Sequence, residues 1–527
     1  MTTRGQTPGA RRRLGVRVAA AVGWGLLACG AAAREVPVTL LHTADLHGRM
    51  AVLAPSDDAD RPAGGLLRLA TLIRKVREDV PRALLLDAGD TLQGSPEGYA
   101  TRGRMIIEAM ERLGYDAWVL GNHEFDWGLP TLARRVEETT LAVLAANIVP
   151  LPGTPHPLPR LRPYSIHEVD GIRVLVVGLT TPGIPNWSLP DLIGTLQFPS
   201  GVDTLRRLLP ELRAAAPDVW VLVTHQGYRG GFTDHANEVA SLIRAFPEFD
   251  VIIGGHTHAF VPGQMIGGIL YAQAGSHGAV LGRVDLVYDT VQRRVVRKEG
   301  RLIPVRADTP EDPEIAQAFG PELDRMRARL RRRIGSLAAP ITPRADAPGQ
   351  SSAERLLRAA IAEAVDADIV VHGTLSSAVL QPGPVTEADL WRLVPYENRI
   401  GIARLTFREL REILEENLAH RDGRRRMGIA GARATIRPDA PEGRRVRALR
   451  LPDGRAAHPR RRVRVAFNSY TLASAGGRFP RLRQLAMQPE ARFELTEVET
   501  RDAVRAYLAR HPRADFSTPP TDGFVLE

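Results

Sequence analysis

Val38-Thr39-Leu40-Leu41-His42-Thr43-Ala44-Asp45-Leu46-His47-Gly48 is an apolar β-like run that stops at two side chains able to hold a metal, Asp45 and His47. The arrangement returns four times in the first half of the chain. Residues 83–86 lead to Asp90, residues 118–120 to Asn122 and His123, residues 219–223 to His225, and residues 251–253 to His256 and His258. Short apolar runs predict strands, and ligands placed where they stop predict loops converging over one end of a sheet.

The residue types point to a pair of divalent ions. Two ions ~3.5–4 Å apart share a carboxylate, whose two oxygens can be divided between them, and Asp90 of Gly89-Asp90 is the natural bridge. Imidazole, carboxamide and carboxylate together suit Mn, Zn, Co or Fe better than calcium. Such a pair lowers the pKa of a bound water and supplies a hydroxide nucleophile, so no cysteine or serine nucleophile is required. His123 stands beside a ligand with Asp126 within a turn, the arrangement of an oriented general acid. Asp87 and Glu124 read as structural acceptors, and His42 and His277 as hydrogen-bonded structural or loop residues.

Thr43-Ala44-Asp45-Leu46-His47-Gly48, Asp87-Ala88-Gly89-Asp90, Gly121-Asn122-His123-Glu124-Phe125-Asp126, Thr224-His225 and Gly255-His256-Thr257-His258 occur in an order that resembles the calcineurin-like metallophosphoesterases, in the 5′-nucleotidase/UDP-sugar hydrolase branch. The resemblance implies an α/β fold, a four-layer α/β/β/α sandwich joined by a helical linker to a smaller α/β C-terminal domain. It implies one ion held by Asp45, His47, Asp90 and His258 and another by Asp90, Asn122, His225 and His256, with His123 aiding the transition state and Asp126 orienting it. The implied reaction is hydrolysis of a small anionic phosphomonoester, a nucleotide foremost. Cyclic phosphodiesters, UDP-sugars or a sulfur ester on the same centre are the alternatives.

A length of 527 residues with 44% hydrophobic content predicts more than one domain with ample core. Arg4, Arg11, Arg12, Arg13 and Arg17 precede a small-residue apolar run at 18–28, which is too short to span a bilayer (~20 residues) and reads as an export signal. The single cysteine, Cys29, follows Leu26-Leu27-Ala28 and resembles a bacterial lipoprotein box. Diacylation there would anchor the chain to a membrane of the cell envelope or periplasm and leave no thiol for a disulfide. The net charge of +10 falls to about +5 without those five arginines, a surface that would still steer anionic substrates. The sequence carries no nucleic-acid-binding motif, so no nucleic acid polymer is expected as a partner.

Along the chain, 1–29 reads as signal peptide, 35–306 as the metallophosphoesterase domain, 307–351 as a helical linker and 352–527 as the C-terminal 5′-nucleotidase-like domain. Leu323, Met326, Leu330 and Ile334 recur at three- and four-residue steps, which predicts one helix over 313–338 followed by a small-residue hinge at 345–352. Helices are also expected over 356–364 and 407–418, with a strand at 369–371.

The C-terminal part departs from the family pattern. His372-Gly373-Thr374-Leu375-Ser376-Ser377 stands where a phosphate-side arginine is expected, and Gly431-Ala432-Arg433 offers no stacking aromatic. Arg478 replaces an acid and cannot accept a hydrogen bond. Asn468, Arg478 and Phe479 remain the candidate substrate contacts, the last as a ring to stack on.

Overall fold

In the computed structural model, residues 34–51, 64–344, 350–420, 426–518 and 522–527 are described. The expected signal peptide and Cys29, and residues 345–349 of the expected hinge, lie outside the described residues.

The first half builds two six-stranded sheets. One runs, edge to edge, Arg294–Pro304, Val280–Asp289, Glu35–Thr43, Leu84–Asp87, Ala117–Val119 and Ala142–Leu144. The other runs Phe260–Ile266, Ile269–Ala274, Val251–Gly254, Val219–Thr224, Ile172–Leu179 and Tyr164–Val169. Strand periodicity sends alternate residues to opposite faces. Val38, Leu40, Leu84 and Leu86 meet Val174, Val176, Val221 and Ile253 in a core between the sheets. Leu41 and Leu85 instead face helices Leu66–Asp79 and Arg104–Arg112, while Leu175, Val177 and Leu222 face helices Gly201–Ala214 and Val239–Ala245. The result is a helix–sheet–sheet–helix sandwich.

Topology places the site. Glu35–Thr43, Leu84–Asp87 and Ala117–Val119 are mutually parallel, as are Ile172–Leu179, Val219–Thr224 and Val251–Gly254. Each candidate metal-ligating segment follows the carboxyl end of one of these strands, where open α/β sheets leave a crevice.

The second half forms a five-stranded sheet ordered Gly428–Ala430, Ile369–His372, Arg462–Asn468, Arg399–Thr406, Glu494–Glu499, beside a three-stranded one. Ile369, Val371 and Phe467 enter one core and Val370, Ile400 and Ala466 another, so this sheet too is covered on both faces. Helix Ser352–Ala364 opens with a capping box in which Ser351 and Glu354 each satisfy the other's backbone N–H.

The helix expected over 313–338 ends early. Helix Pro313–Leu330 is followed by strand Arg333–Leu337, antiparallel to Gly383–Thr386. Ile334 keeps the helical spacing, but a side chain at Gly335 would stand 2.7 Å from the Leu508 carbonyl, so close approach to helix Thr500–Arg510 sets the strand there. Tertiary pairing overrides local periodicity.

His42 and His372 are fully buried. His42 lies against Gly282 with neither ring nitrogen hydrogen-bonded, contrary to the expectation of a bonded structural residue. His372 takes part in a 3.1 Å contact with Asn468 Nδ2. Burial holds each down to about 4. Because the unfolded chain binds these protons near pH 6.5, their contribution is complete above that value and is lost as pH falls toward 4, by ~3 kcal/mol each. Urea midpoints should therefore fall between pH 7 and 4.5, and His372→Gln should flatten that dependence. An identical pH slope in this variant would refute the assignment.

Candidate metal centre

Asp45, His47, Asp90, His256 and His258 all take left-handed backbone conformations, with φ between 52° and 69°. Asp and His tolerate this region better than most residues, and it turns each donor back over the strand ends. The centre falls into overlapping donor sets, Asp45–His47–His258, His47–Asp90–His123 and Asp90–His225–His256, with the atoms of each set within 4.8 Å of one another. His47 Nε2 lies 3.1 Å from His258 Nε2, and His258 Nε2 lies 3.4 Å from Asp45 Oδ1.

The imidazoles are preset as ligands. His47 Nδ1 is 2.8 Å from the Gln93 carbonyl, and His225 Nδ1 is 2.8 Å from the Ala88 carbonyl. A carbonyl can only accept, so each Nδ1 carries a proton and each Nε2 is turned to the site. Burial keeps the His47 ring neutral with its Nε2 lone pair free, whereas for His225 the Asp90 carboxylate outweighs burial and raises the ring to about 9, so its Nε2 becomes a donor atom for an ion only on losing that proton. His225 Nε2 faces Asp90 Oδ2 at 3.1 Å without hydrogen-bond alignment, and Asn122 Oδ1 is buried with no partner. Burial, helped by the charge of His225, holds His256 down to about 3, so His256 is neutral like His47. Burial opposes ionisation of Asp90, but His225 and His123 hold it well below the carboxylate range. Nitrogen and oxygen donors converging with unmet lone pairs fit a pair of divalent ions.

Glu124 and Asp87 hold the loops. Glu124 accepts N–H groups of Asp90 at 3.0 Å, Thr91 at 2.6 Å, Leu92 at 3.1 Å and Gly121 at 2.6 Å, tying two ligand loops to one carboxylate. Asp87 accepts the Thr43 hydroxyl at 2.6 Å and the Gly89 N–H at 3.0 Å. His277, away from these loops in sequence, packs its ring 5.3 Å from that of His47.

His123 is held from three sides. Its N–H donates to Asp90 Oδ1 at 2.8 Å, and its Nδ1 lies 2.6 Å from Asp126 Oδ2. Burial acts to lower it, but Asp126 and Asp90 outweigh this and raise it to about 10, so the ring is protonated at neutral pH. The third side comes from the second half of the chain: Tyr396 stacks on His123 with centroids 5.0 Å apart and planes at 14°.

The Tyr396 loop is itself braced. Arg501, 1% exposed, donates to Val394 O at 2.8 and 3.1 Å and to Glu397 Oε1 at 3.0 Å, and its guanidinium lies 3.3 Å over Trp391. Gln93, whose carbonyl holds His47, donates to Glu397. On the opposite flank Trp187 meets His256 edge-on at 4.9 Å, and the Gly476 N–H donates to Asn186 O at 2.8 Å. Both halves of the chain therefore wall the centre.

The substrate candidates of the second half are engaged elsewhere. Asn468, 3% exposed, caps the helix Ser469–Leu472 through 2.7 Å bonds from Thr471. Phe479, 2% exposed, is packed in the core and meets His420 edge-on, so no face is open for stacking. Arg478 donates to Ala475 O at 2.8 Å and to Tyr470 at 3.3 Å. Asn468 and Phe479 correct the sequence expectation, because packing consumed the groups that the motif left nominally free, whereas Arg478 is partly buried with Nε and Nη2 engaged. Tyr396 and Trp187 were missed. The run Val394-Pro395-Tyr396-Glu397-Asn398 is visible in sequence, but its contact with His123 is set only by how the two halves meet.

The family model of calcineurin-like phosphoesterases matches residues 38–260, and that of the 5′-nucleotidase C-terminal domain matches residues 333–484. Together they cover more than half of the chain. The chain belongs to the calcineurin-like phosphoesterases with a 5′-nucleotidase C-terminal domain. Among members of this family, bovine 5′-nucleotidase is 31% identical over 58% of this chain and 55% of its own length. Protein UshA of Yersinia enterocolitica is 25% identical over 97% of this chain and 98% of its own. The 5′-nucleotidase precursor of Thermus thermophilus superposes with a TM-score of 0.71 at 22% identity, covering 93% of this chain and 99% of that one, which shows a shared fold. The chain spans about half the length of several curated family relatives that it matches.

Proposed function

We propose that this protein is an exported, lipid-anchored hydrolase of phosphomonoesters that works with two divalent ions and acts on nucleotides in the manner of a 5′-nucleotidase. The observation that carries the reading is the Asp90 carboxylate, placed between imidazoles on both sides and joined to the His123 backbone. Asp45, His47, Asp90 and His258 would hold one ion, and Asp90, Asn122, His225 and His256 the other. When bound, such ions supply Lewis-acid charge neutralisation at phosphorus and an acidified water.

The chain's own groups do the rest. Backbone carbonyls of Gln93 and Ala88 fix the imidazole tautomers. Protonated His123, aligned by Asp126 and Tyr396, stands ready to stabilise charge on the phosphoryl group or protonate the leaving oxygen. Export and anchoring rest on the arginine-led apolar run and Cys29 of the sequence.

The test is a chelator-stripped chain beginning after Cys29, reconstituted with Mn, Zn, Co or Fe and offered AMP, a cyclic nucleotide, a UDP-sugar and a thiosulfonate. AMP should be turned over, and chelation should cut the rate by ~100-fold or more, since the ions carry several kcal/mol of the stabilisation. Turnover of the thiosulfonate alone would move the reading to sulfur esters. No phosphoester turnover with any metal would end it.

A further inference from the structure

Arg49 has no task in the centre just described. Its backbone is fixed two residues beyond His47, with its N–H on Leu46 O at 3.0 Å and its carbonyl accepting Leu66 N–H at 3.0 Å. The side chain is partly buried, and its Nε is buried without a hydrogen-bond partner. Among the described residues it makes no ion pair. A buried guanidinium N–H without an acceptor is costly, and the rest of the group borders a cavity, so its position suits an anion that arrives from outside.

The space beside it is suited to one. A cavity of about 960 Å³ lies between the two halves, with Arg49 and Gly94 on one wall and Ser376, Ser377, Trp391 and Arg392 on the other. It adjoins the metal centre directly, because a side chain at Gly94 would stand 2.8 Å from His47 Cβ. Arg392 is already bonded to Asp389 at 3.3 Å, which leaves Arg49 as the unengaged cation of this lining. The volume suits a body of nucleoside size, with hydroxyls and an indole for contacts. Of the segments that departed from the family pattern, Ser376 and Ser377 line it, while Gly431, Ala432, Arg478 and Phe479 do not.

We propose that this cavity receives the leaving group of the substrate and that Arg49 binds a second anionic group on it, a phosphate or a carboxylate, so that the preferred substrates are phosphoesters or phosphoanhydrides whose leaving group is itself charged. The proposal rests on the phosphoesterase reading above. In the reaction the bond from phosphorus to the leaving oxygen breaks, water supplies the new oxygen on phosphorus, and a proton passes to the departing group.

The test compares kcat/KM of the metal-reconstituted protein on AMP, whose leaving group is neutral, with ADP and phosphoglycolate, whose leaving groups carry a phosphate and a carboxylate. Arg49→Met should reduce the preference for the charged leaving group by ~30- to 100-fold, the range of a charged hydrogen bond, mainly through KM, and Arg49→Lys should restore part of it. A change confined to ADP or to phosphoglycolate identifies which anion the site takes. Equal losses on all three substrates would place Arg49 on the transferred phosphoryl and overturn the proposal, as would an unchanged preference.

Ala388→Phe, which narrows the cavity from the other half, tests the pocket independently of Arg49. It should depress AMP and ADP relative to the much smaller phosphoglycolate, and a uniform loss would overturn the placement. Wild-type protein inert toward all three substrates with every metal would instead sink the phosphoesterase reading itself.

Discussion

Asp90→Asn is expected to lower kcat/KM for phosphomonoesters by ~10³-fold, equivalent to ~4 kcal/mol of transition-state stabilisation, and to reduce bound metal. The carboxylate faces His225 Nε2 at 3.1 Å through one oxygen and accepts the His123 N–H at 2.8 Å through the other. An amide keeps the shape and removes the charge that both imidazole sets face. It also exposes a buried N–H₂ to His225 or to the His123 N–H, where a donor is unwelcome. Metal content by elemental analysis, taken with the rate, separates a lost ion from a misplaced one. A variant with full metal content and wild-type turnover would remove Asp90 from the centre.

The second large effect belongs to His123. His123→Ala should cost ~10²–10⁴-fold in kcat while metal content and KM hold, the range for a general acid or a transition-state donor. Asp126→Asn should have a smaller effect with a diagnostic pH profile. Asp126 is the first of the groups that raise His123 against burial. Without it His123 loses its proton at lower pH, so the alkaline limb of the rate profile must move toward neutrality. A limb that stays in place would mean that His123 does not act as a protonated group.

Much of this architecture was legible in the chain before any coordinates. The strands leading to Asp45, Asp90, Asn122, His225 and His256 carried their own address, since short apolar runs with abrupt polar stops are local features. What stayed illegible was non-local. Ile334 kept a helical step, yet Gly335 fits beneath Leu508 only as part of a strand. Phe479 looked like a free ring because sequence does not reveal that a core will close over it. Tyr396 and Arg49 act through a junction between the halves that no window of residues spans, and an arginine two places beyond a ligand reads as an ordinary solvated charge until its neighbours prove unable to pair with it.

The left-handed turns at Asp45, His47, Asp90, His256 and His258 have an evolutionary corollary. A non-glycine residue in that region costs ~1 kcal/mol, so the protein sustains a standing tax of several kcal/mol for chemistry rather than for architecture. Glycine would be the cheaper occupant at every one of the five, and its absence from all of them is a trade-off in which durability has been surrendered to keep the donors. A descendant released from catalysis would gain robustness by drifting toward glycine there, and that drift would mark a retired member of the lineage.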